Sequence, residues 1–222
     1  MPRKYIEGDL NLRKLYLTEL PDFLSGVEIR GYFDCNKNKL TSLKNCPSSI
    51  IGEFVCSFNK QLKTLEGGPT YVDTNYECND CGLESLKGAP TRAEGMFDCG
   101  TNQLKTLDFA PAFVGGAFVC SGNGLKSLLK GPLVVDGSYD CSLNKLSNLI
   151  GAPDRVGGNF DCTGNKLTSL EGIPKLIIGD FVCLVDEELP ITERDVRALS
   201  EIEGSVRLYK RESSIRDRDD DL

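Results

Sequence analysis

Histidine is absent from this chain. That removes the commonest general base and a common metal ligand. No glycine-rich phosphate loop, nucleophile elbow or metalloprotease motif occurs. No catalytic residue, metal or cofactor is therefore expected. No apolar run is long enough for a membrane span. Residues Met1 to Leu10 carry no apolar signal-peptide core. Together these absences predict a cytoplasmic protein without membrane contact. Acidic residues outnumber basic ones, 33 to 26, for a formal net charge of −7.

What the chain has in abundance is one cysteine-centred period. Cys35, Cys56, Cys78, Cys99, Cys120, Cys141, Cys162 and Cys183 are 21 residues apart, with 22 between Cys56 and Cys78. The extra residue lies at Lys60-Gln61. An aromatic stands two before each cysteine: Phe33, Phe54, Tyr76, Phe97, Phe118, Tyr139, Phe160, Phe181. Glycine stands four before in every unit but one, where Thr74 replaces it. Ile29, Ile50, Val72, Ala93, Val114, Val135, Val156 and Ile177 stand six before. Asparagine usually follows by three (Asn38, Asn59, Asn102, Asn123, Asn144, Asn165), then two leucines and a proline. The unit reads V-x-G-x-F-x-C-x-x-N-x-L-x-x-L-x-G-x-P. A degenerate ninth unit opens the chain, with Ile6, Gly8, Leu10, Leu12, Leu17 and Leu20-Pro21 in the expected places and a looser loop around Asp22–Gly26.

This unit resembles the leucine-rich repeat, L-x-x-L-x-L-x-x-N/C-x-L, with aromatic and cysteine in place of two leucines. The resemblance runs from about Ile6 to Cys183. N-K-L-T-S-L-x-x-x-P is similar to the short repeats of secreted bacterial effectors and related phage-encoded proteins. Such effectors often add a ligase domain after the repeats; the segment after Cys183 is too short to hold one. The resemblance implies a recognition scaffold.

Alternating inward aromatic and cysteine specifies a short strand with one buried face. Repeated units must stack, since none buries a core alone. The expected fold is a repeat solenoid: a leucine-rich-repeat parallel β-sheet, mostly non-helical on its convex side, with a C-terminal capping helix. Its nine strands at ~4.8 Å span ~40 Å. The division is 1–189 solenoid, 190–209 cap helix and short extended piece, and 210–222 a charged tail expected to be disordered. Thr192 reads as the helix N-cap with Asp195 three residues on. Val196, Leu199 and Ile202 form the apolar stripe, and Gly204 is the stop. The cysteines occupy one inward column, as buried small hydrophobes do, so they are expected reduced. Cys78-Asn79-Asp80-Cys81 looks like a C-x-x-C, but no helix start or second ligand pair accompanies it, and Cys81 sits at the N/C position of the repeat. Cys46, on a turn, reads as a packed thiol.

Function must then lie on outward columns. The residue before each cysteine faces solvent: Asp34, Val55, Glu77, Asp98, Val119, Asp140, Asp161, Val182. Phe58, Met96 and Leu143 add apolar spots. An acidic face with apolar anchors suits a protein partner bearing a basic or mixed patch. Lys39, Lys63, Lys105, Lys126, Lys145 and Lys166 lie on the following turn and read as a solvated edge. The leading expectation is a non-catalytic recognition module, such as a bacterial or phage protein that modulates a host factor, without direct nucleic-acid binding. One alternative is an acidic decoy occupying the nucleic-acid groove of an enzyme. Another is divalent-cation binding by pairs such as Asp140 and Asp161, although calcium wants about 6–8 oxygen ligands.

Overall fold

The computed structural model describes residues 4–185 and 189–210. The tail assigned to 210–222 therefore lies outside the described residues from 211 onward. The chain is a parallel β-solenoid of ten turns with very little helix. One sheet of 10 strands runs its whole length. Its rungs, in order, are Leu10–Asn11, Phe33–Asp34, Phe54–Val55, Tyr76–Glu77, Phe97–Asp98, Phe118–Val119, Tyr139–Asp140, Phe160–Asp161, Phe181–Val185 and Val206–Lys210, numbered 1 to 10 below. Each two-residue strand of rungs 2 to 8 contributes one aromatic inward and a second residue to the other face, and rung 1 has Leu10 in the aromatic place. Register is unambiguous: aromatic pairs with aromatic from Phe33 to Phe181. A slip of one residue would expose every ring.

Behind this sheet the eight rings form a continuous stack, with successive centroids 4.9–6.2 Å apart. Aromatic pairs at such spacing contribute ~0.5–1.5 kcal/mol beyond their burial. All ten cysteines are buried and unbridged. Burial pushes the thiols of Cys35, Cys120 and Cys141 well up, so they pack as neutral S–H groups.

The asparagine column staples one turn to the next. Asn59 Nδ2 donates to its own rung at Cys56 O (2.8 Å) and to the previous rung at Cys35 O (3.2 Å). Its Oδ1 accepts the Leu40 amide at 3.0 Å. Asn144 repeats this with Cys141, Cys120 and Leu125. The two leucine amides would otherwise be buried unpaired. The glycine column is steric. At Gly31, Gly52, Gly95, Gly116, Gly137, Gly158, Gly179 and Gly204 an added Cβ would come within 2.4–2.7 Å of backbone atoms in the preceding turn.

Three sequence expectations change. First, the solenoid does not have a single sheet. The apolar residue six before each cysteine lies in a second ladder of short strands, split into sections of 4 and 6 strands. Stacking at the rung spacing brings this arc of each turn beside its copy, so it pairs as well. The split falls between Tyr71–Val72 and Arg92–Ala93, beside Thr74, the one side chain in the glycine column.

Second, the helix is not a lid over the last repeat. It spans Glu193–Leu199 and starts as read, with a reciprocal Thr192–Asp195 capping box. It ends before Ser200, which is extended. Val196 is buried, but Leu199 is 58% exposed and Ile202 belongs to a strand. The third change follows from the second. Ile202-x-Gly204-x-Val206-x-Leu208 is a tenth copy of the repeat, with valine for the aromatic and leucine for cysteine. Gly204 is required by its approach to Gly179, not by a helix stop. The helix occupies the arc between rungs 9 and 10, where Arg197 ties it to Ile202 O (2.8 Å) and Gly204 O (3.1 Å).

Candidate functional site

The outward column is one continuous register: Asn11, Asp34, Val55, Glu77, Asp98, Val119, Asp140, Asp161, Val182 and Arg207 lie side by side. Most are half-buried. Asn11 and Arg207 at the two ends are exposed, whereas Asp34, at 8% exposed, departs from the solvent-facing reading. The aspartates have a local task that the sequence reading missed. Each Oδ1 accepts the backbone N–H two residues on: Asn36 to Asp34 (2.8 Å), Gly100 to Asp98 (2.9 Å), Ser142 to Asp140 (2.9 Å) and Thr163 to Asp161 (2.8 Å). This is the side-chain turn that Asx residues favour. The signal was available, because aspartate lies two before Asn36, Gly100, Ser142 or Thr163, at the point where the chain leaves the strand. In rungs with Val55, Val119 or Val182 nothing takes that place.

Glu77 is one methylene too long for this turn. It meets Glu53 of the previous turn instead. Burial, then the nearby Glu53 charge and a hydrogen bond to Glu53, push its carboxyl up to about 7. Burial also pushes Asp98 up, against the Gly100 N–H bond. The neighbouring outward column carries Tyr32, Glu53, Asn75, Met96, Ala117, Ser138, Asn159 and Asp180. Several of these side chains accept the amide of the next turn: Met96 N donates to Asn75 Oδ1 (3.0 Å), Asp180 N to Asn159 Oδ1 (2.9 Å), Ser205 N to Asp180 Oδ1 (2.8 Å). Much polarity on this face therefore joins turns together.

Phe58 and Leu143 are not on strands. They occupy the turn position two after the cysteine, in left-handed backbone (φ 59° and 53°). Elsewhere the same left-handed position is held by Lys37, Asp80 and Thr101 (φ 54°, 54° and 52°) and by Gly122 and Gly164 (64° and 66°). Both apolar side chains are exposed, Phe58 by 38% and Leu143 by 65%. Lys37 Nζ lies 4.9 Å from the Phe58 ring. The structure thus places Met96 on the face itself, and Phe58 and Leu143 along its rim. A second set of exposed apolar residues, Phe109, Leu129 and Leu133, lies on the opposite arc. The sequence reading passed over it because those turn positions vary from unit to unit.

Cys81 is buried, and its Sγ donates to Cys56 O at 3.3 Å, taking the place of the asparagine amide. Among the described residues no group of three or more histidine, cysteine, aspartate or glutamate side chains is placed to hold a metal ion. Asp140 and Asp161 each have one oxygen committed to the chain. No described helix is long and apolar enough to cross a membrane.

Fold and sequence define a class: a repeat protein built as a parallel β-solenoid of about 21-residue turns, with one sheet running its whole length. Comparison with protein-family models, with curated proteins and with solved structures finds no significant match.

Proposed function

We propose that the chain is a non-catalytic recognition module of the leucine-rich-repeat kind, whose long sheet binds a protein with a basic or mixed patch. The observation that carries this reading is the pair Phe58 and Leu143. A bulky residue in left-handed backbone costs ~1–3 kcal/mol, and leaving it in water forgoes the gain of burial. Other rungs fill the same turn with glycine or with the polar Lys37, Asp80 and Thr101, and only these two put a large apolar side chain there. Two such choices on one rim, beside a half-buried acidic column, are what a binding surface retains and a merely folded one does not. The aspartates keep a second oxygen that accepts nothing else from the described residues, so their charge is available to steer a cationic partner. The resemblance of N-K-L-T-S-L to bacterial effector and phage repeats supports a cytoplasmic, host-directed role.

The test uses the immobilised full chain to capture a partner from bacterial lysate, followed by affinity measurement. Phe58→Gly/Leu143→Gly should raise stability by ~1–3 kcal/mol while weakening the partner at least tenfold. Asp98→Asn/Asp140→Asn keeps the acceptor oxygen and should chiefly slow association. Unchanged affinity in both variants would place recognition elsewhere.

A further inference from the structure

The lysine edge is not uniform. Lys60 pairs with Asp80, Lys63 with Glu84, and Lys39 lies 5.6 Å from the Tyr16 ring. Lys105, Lys126, Lys145 and Lys166 form no ion pair among the described residues, and all four are exposed. They belong to rungs 5 to 8. In those turns the arc after the strand, residues 99–107, 120–128, 141–149 and 162–170, holds these four lysines and not one aspartate or glutamate. The other polar residues there are serine, threonine, asparagine and glutamine. This is a cationic strip in a chain of net charge −7.

The strip is also drawn together. Gly124 stands where Lys145 and Lys166 stand in the next two turns. An added Cβ there would lie 2.5 Å from Lys105 Nζ. Lys105 therefore leans across the glycine and puts its ammonium in the vacant place of that row. Leu143 leans the same way, over Gly164, whose added Cβ would meet Leu143 Cδ2 at 2.6 Å. An apolar side chain 65% exposed thus borders the cations.

We propose that this strip is a second binding surface, which shares only Leu143 with the rim of the sheet face, and that it takes a short extended acidic peptide from a partner protein. Four rungs at ~4.8 Å span ~14 Å, about four extended residues. Carboxylates of such a segment meet ammonium groups from consecutive turns, and one apolar residue covers Leu143. The strip has no aromatic and no arginine, the groups that stack bases in single-strand binding. The negative field of the whole chain repels a long polyanion, whereas a short peptide feels mainly the local lysines.

The experiment titrates the full chain into a short fluorescein-labelled peptide that alternates aspartate and serine around one leucine, read by anisotropy at low salt. Binding that weakens about tenfold in Lys105→Gln/Lys126→Gln/Lys145→Gln/Lys166→Gln is expected. So is a loss of less than twofold in Lys44→Gln/Lys87→Gln/Lys130→Gln/Lys175→Gln, which removes the same charge from other arcs. Equal loss in both variants, or no binding to the wild-type chain, overturns the site. A single-stranded oligonucleotide that binds more tightly than the peptide overturns the peptide assignment. So does sedimentation of the wild-type chain as a dimer that the strip variant abolishes, which would make a second copy the occupant.

Discussion

Rung 4 and rung 7 are built from the same unit, yet they differ in how they are held. Rung 7 keeps every element: Gly137 against the previous turn, and Asn144 bonded to Cys120 O, Cys141 O, Ser142 O and Leu125 N at 3.0–3.1 Å. Rung 4 departs at several. Thr74 replaces its glycine, Cys81 replaces its asparagine, Glu77 crowds Glu53, and the second ladder breaks at its far side. It also follows the turn lengthened at Lys60-Gln61. The departures gather on both sides of rung 4, so the solenoid carries a seam around that rung and a regular block beyond it. In a quasi-one-dimensional array each interface contributes its own stability. The seam should therefore be the weakest coupling along the stack.

The largest effect should come from removing the staple on the regular side. Asn144→Ala leaves the buried Leu125 amide without its partner and removes the Asn144 bonds to Cys120 O and Cys141 O, which keep Asn123 and Asn165. With ~1–3 kcal/mol for the orphaned amide and ~1 kcal/mol for the bonds lost, the loss is about 3 kcal/mol in urea unfolding. Cys81→Ala removes only one thiol bond, 3.3 Å long, and should cost about 1 kcal/mol. Cys81→Asn should restore the staple and stabilise the chain. If the alanine variants lose equal stability, the two rungs are not held differently and the seam has no energetic content.

Rungs 4 and 7 share one feature, tyrosine in the aromatic column. Eight residues before Tyr76 and Tyr139 stand Gly68 and Gly131. Eight before the phenylalanines of rungs 3, 5, 6, 8 and 9 stand Cys46, Ala89, Ala110, Ala152 and Ile173. An added Cβ on Gly68 would lie 2.9 Å from Leu43 Cδ1 and Leu65 O and 3.0 Å from the Tyr76 hydroxyl, and one on Gly131 would lie 2.9 Å from Leu107 Cδ1 and Leu128 O and 3.3 Å from that of Tyr139. The glycine makes room for the oxygen. Both hydroxyls are buried without a well-formed hydrogen bond among the described residues. Gly68→Ala should destabilise by ~1–3 kcal/mol through overpacking. In the Tyr76→Phe background it should cost clearly less, and Tyr76→Phe alone should not destabilise, since it removes an unpaired polar group. Additive losses in this double-mutant cycle would show that the pairing of tyrosine with glycine is chance.

That covariation was readable in the sequence, as were the period, the inward columns, the asparagine staple and the Thr192–Asp195 cap. Each rests on local spacing repeated many times. What could not be read was whatever depends on one turn lying on another. The second ladder arises from stacking and not from a strand pattern in the arc itself. Rung 10 was hidden because a helix intervenes and because Val206 and Leu208 stand where the period teaches one to look for an aromatic and a cysteine. The candidate face was legible as a set of positions, but not the separate tasks within it. Asp98 and Asp140 cap turns, whereas Phe58 and Leu143 sit in backbone that suits glycine better, and only the dihedral angles separate these cases.

The smallest expected effect probes the carboxyl pair that marks the seam. Burial and Glu53 raise Glu77 from about 4.5 to about 7, so in this window the folded chain holds a proton that the unfolded chain has released. Stability linked to Glu77 is then fully present below pH ~4.5 and falls as pH rises through ~7. The group is partly exposed and solvent screens it, so the change is on the order of 1 kcal/mol. Glu77→Gln stays neutral throughout. In urea unfolding it should match the wild-type chain near pH 5 and exceed it near pH 8. Glu53→Gln should produce a smaller gain, because it removes the neighbouring charge but leaves Glu77 buried. A wild-type chain whose midpoint rises relative to Glu77→Gln between those pH values would reverse the sign, and would mean that Glu77 is held ionised by a cation on this face.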